Sequence, residues 1–120
     1  MKQLTALDKG FLLSESREVP MHVGGVALYT LPSGASTVEF LQALGENLAD
    51  AEAFLPPFGD RLKTGRLGLA GPTYWEPDPA LDLDYHIRHS ALPQPGRYRE
   101  LFTLVSRLHA TLLDRNRPLW

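Results

Sequence analysis

The sequence predicts an α/β fold, a mixed sheet with helices packed against it. Two observations carry this expectation. Apolar residues recur at spacings of three and four in two separate stretches, the mark of amphipathic helices. Between and before them lie β-prone stretches with a period of two or with apolar side chains in both phases. The resulting order is strand, helix, strand, strand, helix, which suits a sheet layered with helices.

The elements follow in order. "ALDKGFLLSES" carries Leu7, Phe11, Leu12 and Leu13, enough to pack a short turn or helix against the body. "MHVGGVALYTL", residues 21–31, reads as a central strand covered on both faces, with Val23, Ala27 and Tyr29 in one phase and Val26 and Leu28 in the other. "PSGAS", residues 32–36, is a turn. A helix follows: Ser36 and Glu39 have capping-box spacing, and Leu41, Leu44, Leu48 and Ala51 form one stripe. Pro56 and Pro57 end it. Residues 65–79, "GRLGLAGPTYWEPDP", suggest a short strand and then a proline-studded excursion. Residues 81–91, "LDLDYHIRHSA", alternate as a half-exposed strand, with Leu81, Leu83, Tyr85, Ile87 and His89 on the core side. The last helix is expected from Tyr98 to Leu113, with Tyr98, Leu101, Val105, Leu108 and Leu112 as its stripe. Leu104 and Leu113 widen that stripe, which predicts a well-buried helix. The sheet is thin, and two helices must cover strands that are apolar on both sides. That suits part of a larger sheet; a compact α+β domain fits the same periodicities.

Composition narrows the chemistry. The chain has 120 residues, 43% of them hydrophobic and 22% charged, with a formal net charge of -2. This is globular composition with no basic footprint for nucleic acid. There is no cysteine, which excludes a disulfide framework and a thiolate nucleophile. No signal-peptide core or membrane-spanning apolar run is visible, so the expected address is cytoplasmic, with peripheral lipid contact left open.

The histidines are the candidates for chemistry. His22 precedes Gly24 and Gly25 in an apolar stretch, and glycines there mark a bulge or a close approach by backbone or ligand. His22 is read either as a polar residue bonded to backbone or as a pocket-lining residue. His86 falls in the solvated phase beside Asp84 and Arg88, and His89 in the core phase. On a strand the two face opposite ways, so "HIRH" makes no metal site. His109 borders the stripe of the last helix and reads as a packing residue. Asp114, Arg115 and Arg117 suit a helix end. Asp82 and Asp84 read as a charged surface row beside Arg88. "GRLGLAG" lacks the features of a phosphate loop, and Ser14, Ser16 and Ser106 have no base partner in sequence context. The residues alone therefore reach an α/β domain without a self-contained active site.

Four blocks carry a resemblance. "LTALDKGFLLSES", "PMHVGGVALY", "DLDYHIRHSALPQPG" and "RELFTLVSRLHATLLDRNRPLW" occur in the order and at the separations seen in the bacterial wax ester synthase/acyl-CoA:diacylglycerol acyltransferase family. The resemblance covers nearly the whole chain. It implies the N-terminal portion of a chloramphenicol-acetyltransferase-like domain, in an enzyme that transfers a long-chain acyl group from acyl-CoA to a fatty alcohol or diacylglycerol. The family's catalytic residue is the second histidine of "HHxxxDG", which follows "PLW". These 120 residues contain no such motif, so no catalytic residue is assigned and the stretch is expected to be inactive alone. His22, Gly24 and Gly25 are expected to contact substrate. Pro118, Leu119 and Trp120 are the structural "PLW" motif, expected to turn into a following strand, with Trp120 packing on sequence beyond it. Acyl-CoA enters as substrate; no cofactor, metal or nucleic acid is implied. The implied partners are the lipid acceptor, the remainder of the polypeptide, and a membrane or lipid-droplet surface. Two other readings remain open: a non-enzymatic module that binds acyl chains or a partner, and part of a condensation-type acyltransferase using carrier-bound donors.

Overall fold

The computed structural model describes residues 1–49 and 56–120. Strand β1 (Lys2–Gln3) leads into helix α1 (Ala6–Ser14), and helix α2 (Thr37–Leu48) follows. Strands β2 (Asp60–Gly65) and β3 (Gly68–Pro77) come next, then the short helix α3 (Leu83–His86) and helix α4 (Tyr98–His109). The fold is mixed α/β, as expected. The sheet among the described residues has three antiparallel strands in the order β1-β3-β2.

The helices start where local chemistry starts them. At α1 the Thr5 hydroxyl accepts from the Asp8 N–H at 3.1 Å, and the Asp8 carboxylate accepts from the Thr5 N–H at 3.0 Å. Each satisfies a donor that the first turn leaves free. The Thr5 hydroxyl, and then its backbone N–H, hold the Asp8 carboxyl below its ordinary pKa. Helix α2 starts at Ser36, whose hydroxyl accepts from the Glu39 N–H at 3.5 Å. It ends at Ala49, before the two prolines. Ala51, expected to close its stripe, lies outside the described residues.

Three expectations are corrected. Residues 21–31 form no strand; from 22 to 31 they make no backbone hydrogen bond among the described residues. Their β-propensity stands, but a strand exists only through its ladder, and no described segment lies beside them to supply one. Residues 81–91 are not a strand either. The Asp82 carboxylate accepts from the Tyr85 N–H at 3.2 Å, and this cap nucleates α3 inside the alternating stretch. Asp82 also takes a hydrogen bond from Arg117 at 3.0 Å, so it is not part of a row with Arg88. Helix α4 stops at His109 instead of Leu113 and buries none of its residues.

Strand β3 runs for ten residues through Pro72, in place of the predicted excursion. Proline is tolerated because the ladder to β2 slips there: Thr64 pairs with Thr73 but Gly65 pairs with Gly68. The intervening β3 residues bulge out of register, so the missing N–H breaks no rung. The sheet's interior is small. Leu4 and Thr73 are buried at its centre, and Leu4 N–H donates to the Thr73 carbonyl at 3.0 Å.

The chain lies open. Its radius of gyration is 17.4 Å, against about 14 Å for a compact domain of this length. Its accessible surface is 9551 Å², against about 6,500 Å² for a closed monomer of its mass. Much of the difference is apolar: Val23, Leu28, Tyr29, Val38, Phe102 and Leu108 are all exposed. Among the described residues, no helix is long and apolar enough to cross a membrane.

Candidate functional site

A polar network centres on Glu15, the residue that caps the C-terminus of α1. A carboxylate is disfavoured there by the helix dipole. Arg115 supplies the compensation from the far end of the sequence. Its guanidinium donates to the Leu12 carbonyl at 2.7 Å and to Glu15 Oε1 at 3.0 Å. It thereby satisfies a free carbonyl of the last helical turn and neutralises the misplaced charge. Glu15 Oε2 accepts from the Met21 N–H at 3.2 Å. Burial raises the Glu15 pKa, but the hydrogen bonds from Arg115 and Met21, with the charges of Arg115 and His22, outweigh it and leave the carboxyl below its ordinary value.

His22 is the next link. Its Nε2 lies 2.7 Å from the carbonyl of His109. A carbonyl only accepts, so Nε2 carries the proton. Nδ1 is buried without a hydrogen-bond partner, 4.0 Å from Glu15 Oε2. The His109 ring stands edge-on to His22, with centroids 4.9 Å apart. One network thus joins the end of α1, the segment after it and the end of α4.

Two clefts meet at this network. The first, about 500 Å³, is lined by Phe11, Met21, His22, Leu113 and Trp120 among others. The second, about 460 Å³, lies between residues 22–26 and α4, walled by Val26, Val105 and Leu108. His22, Val23 and Leu113 belong to both. Both clefts are predominantly apolar, with His22 at their junction and Glu15 in the wall of the first.

The predicted site residues take definite places. His22, Gly24 and Gly25 all line the second cleft. A Cβ on Gly24 would meet His109 Nδ1 at 3.4 Å, while one on Gly25 would meet nothing within 4 Å. Of the two glycines, only Gly24 would bring a side chain into contact with a neighbour, and at ordinary van der Waals distance. In "PLW", Pro118 bridges to Arg61 beside β2, and Leu119 and Trp120 line the first cleft. Trp120 packs within this chain: its indole N–H donates to the Phe58 carbonyl, and its ring stacks on His86 with centroids 4.3 Å apart.

Three histidine readings are corrected here. His86 is a half-buried packing residue, because its Nδ1 lies 2.7 Å from the Trp120 carbonyl and its Nε2 is inaccessible. His89 is exposed, since the strand that would have turned it inward does not form. His109 is exposed too; its carbonyl accepts from His22 Nε2 and its ring stands edge-on to the His22 ring. Sequence reasoning passed over Glu15 and treated Arg115 as an ordinary helix-end cation. The legible signal was an acidic residue just after a helix, where the dipole disfavours it.

The family model for the wax ester synthase/diacylglycerol acyltransferase catalytic domain matches residues 4–120. The chain belongs to that family. A probable diacylglycerol O-acyltransferase of Mycobacterium tuberculosis is 50% identical over 113 residues, 94% of this chain and 24% of that protein. An O-acyltransferase of Acinetobacter baylyi is 43% identical over 121 residues, all of this chain and 24% of that protein. The solved wax ester synthase/diacylglycerol acyltransferase from Marinobacter aquaeolei superposes with a TM-score of 0.83 at 42% identity, over 98% of this chain and 28% of that one. The chain therefore spans about a quarter of the length of the family relatives it matches.

Proposed function

We propose that these residues belong to an O-acyltransferase that moves a long-chain acyl group from acyl-CoA to a fatty alcohol or diacylglycerol, giving wax ester or triacylglycerol. In this reading they form the N-terminal portion of a chloramphenicol-acetyltransferase-like domain and supply scaffold and channel wall. The observation that carries it is the meeting of two apolar clefts at His22. One apolar arm suits an acyl chain and the other a lipid acceptor, with the polar junction beside the reacting ester. His22, Gly24 and Gly25 are then channel residues. In this reading the protein works in the cytoplasm, at the surface of the membrane or lipid body that holds its acceptor.

The chemistry itself asks for more than these residues offer. Attack of a hydroxyl oxygen on the thioester carbon expels the CoA thiol, and a base must take the hydroxyl proton. Donors must also meet the developing oxyanion. His22 and His86 each have one ring nitrogen bonded to a carbonyl and the other inaccessible. His109 has no described partner to fix its tautomer, and no adjacent histidine pair occurs in the 120 residues. These features support a wall-forming role, with the base contributed from elsewhere in the protein.

The test is CoA release from palmitoyl-CoA with hexadecanol or a diacylglycerol. The complete protein should turn over, and residues 1–120 alone should not. No turnover by the complete protein overturns the reading, as does turnover by residues 1–120 that His22→Ala or His109→Ala abolishes.

A further inference from the structure

We infer that the groove between α4 and residues 90–93 is a binding site for phosphate groups. The groove has a volume of about 470 Å³ and is lined by Ser90, Ala91, Arg99, Glu100, Thr103 and Arg107 among others. Arg99, Thr103 and Arg107 are spaced at four and eight along α4, so they share one face, about 6 Å apart per step along the axis. This face turns away from Val105, Leu108 and His109, which wall the second cleft.

Three of the nine arginines pair with acids among the described residues, and two of the others line this groove. Arg61 pairs with Glu76 and Asp78, Arg115 with Glu15, and Arg117 with Asp82 and Asp114. Arg99 and Arg107 have no carboxylate partner among the described residues. The one acid in the groove, Glu100, accepts the Arg97 N–H at 2.8 Å as part of the helix start. The facing wall adds neutral donors: the Ser90 hydroxyl and the N–H groups of Ser90 and Ala91 make no hydrogen bond among the described residues. Two unpaired guanidinium groups facing uncommitted donors form a site for an anion with several oxygens. A phosphate ester fits this better than a carboxylate, which has fewer acceptor positions to fill. Two sources present that chemistry: a soluble nucleotide phosphate, such as the adenosine bisphosphate end of a CoA ester, and an anionic phospholipid headgroup.

The experiment uses the complete protein and measures binding without turnover, so its failure leaves the acyltransferase reading standing. Adenosine 3′,5′-bisphosphate is titrated by calorimetry. In parallel, the protein is sedimented with phosphatidylcholine vesicles with or without phosphatidylglycerol. Saturable, salt-sensitive binding of either probe is expected, and R99Q/R107Q should weaken it at least tenfold. Binding of the bisphosphate alone assigns a nucleotide ligand; binding of the anionic vesicles alone assigns a headgroup. Should the double variant fail to fold, R99Q and R107Q carry the test singly, and each should weaken binding. Absence of binding to both probes, or binding that the R99Q/R107Q change leaves intact, overturns it.

Discussion

Replacing Arg115 with Met removes the guanidinium that hydrogen-bonds and neutralises Glu15. The Glu15 side chain is 9% exposed and Arg115 37%. Breaking a buried pair from one side costs about 3–5 kcal/mol. Water reaches Arg115, so that range is discounted here to about 2 kcal/mol. The loss is local: it frees the Leu12 carbonyl, weakens the hold of Glu15 on the Met21 N–H and loosens His22. Hydrogen exchange at the Met21 amide reads this opening directly, whatever the global stability. About 2 kcal/mol corresponds to roughly thirtyfold faster exchange. The double variant E15M/R115M also deletes the acceptor of the Met21 N–H, so its Met21 exchange should be at least as fast as that of R115M. The pH dependence has a fixed sign. The Glu15 pKa lies below its ordinary 4.5, so its contribution is present above that value. It is lost as pH falls through the lower folded pKa. Protection should therefore persist to about pH 4.5 and decline below it, and R115M should flatten that decline. Exchange at Met21 changed less than threefold in R115M, with no dependence on acid, would refute the network as a structural clamp.

Other outcomes follow from individual contacts. Gly24→Val and Gly25→Val should both leave the melting temperature nearly unchanged, because both positions are exposed and a Cβ on Gly24 meets the exposed His109 ring only at an ordinary 3.4 Å contact. In the acyltransferase assay both valines should raise KM by narrowing the second cleft, and an unchanged KM for both would contradict the channel role. Trp120→Phe removes the indole donor to the Phe58 carbonyl and should destabilise by about 1 kcal/mol, read by chemical denaturation. Residues 1–120 expressed alone should bind a hydrophobic dye and self-associate, because about 3,000 Å² more surface is exposed than a closed monomer shows. A monomeric species by light scattering, with no dye binding, would count against that.

Local chemistry made parts of this protein legible in its sequence. The Ser36 start and the apolar stripe place α2, because capping and helical periodicity involve residues within four positions of one another. The stripe from Tyr98 likewise places α4, though not its end. Gly24 and His22 were visible as candidates, since glycine in an apolar stretch stands out without any knowledge of partners. Tertiary structure decided the rest. Residues 21–31 and 81–91 carry strand-like patterns, yet one finds no ladder and the other folds into a helix once Asp82 caps it. The contacts around Glu15 join residues as far apart as Leu12 and Arg115, and the stack on Trp120 reaches back to His86. Pairings at such separations leave no periodic trace in the sequence. Their formation depends on which segments the fold brings together, and a side chain's local pattern carries no information about that.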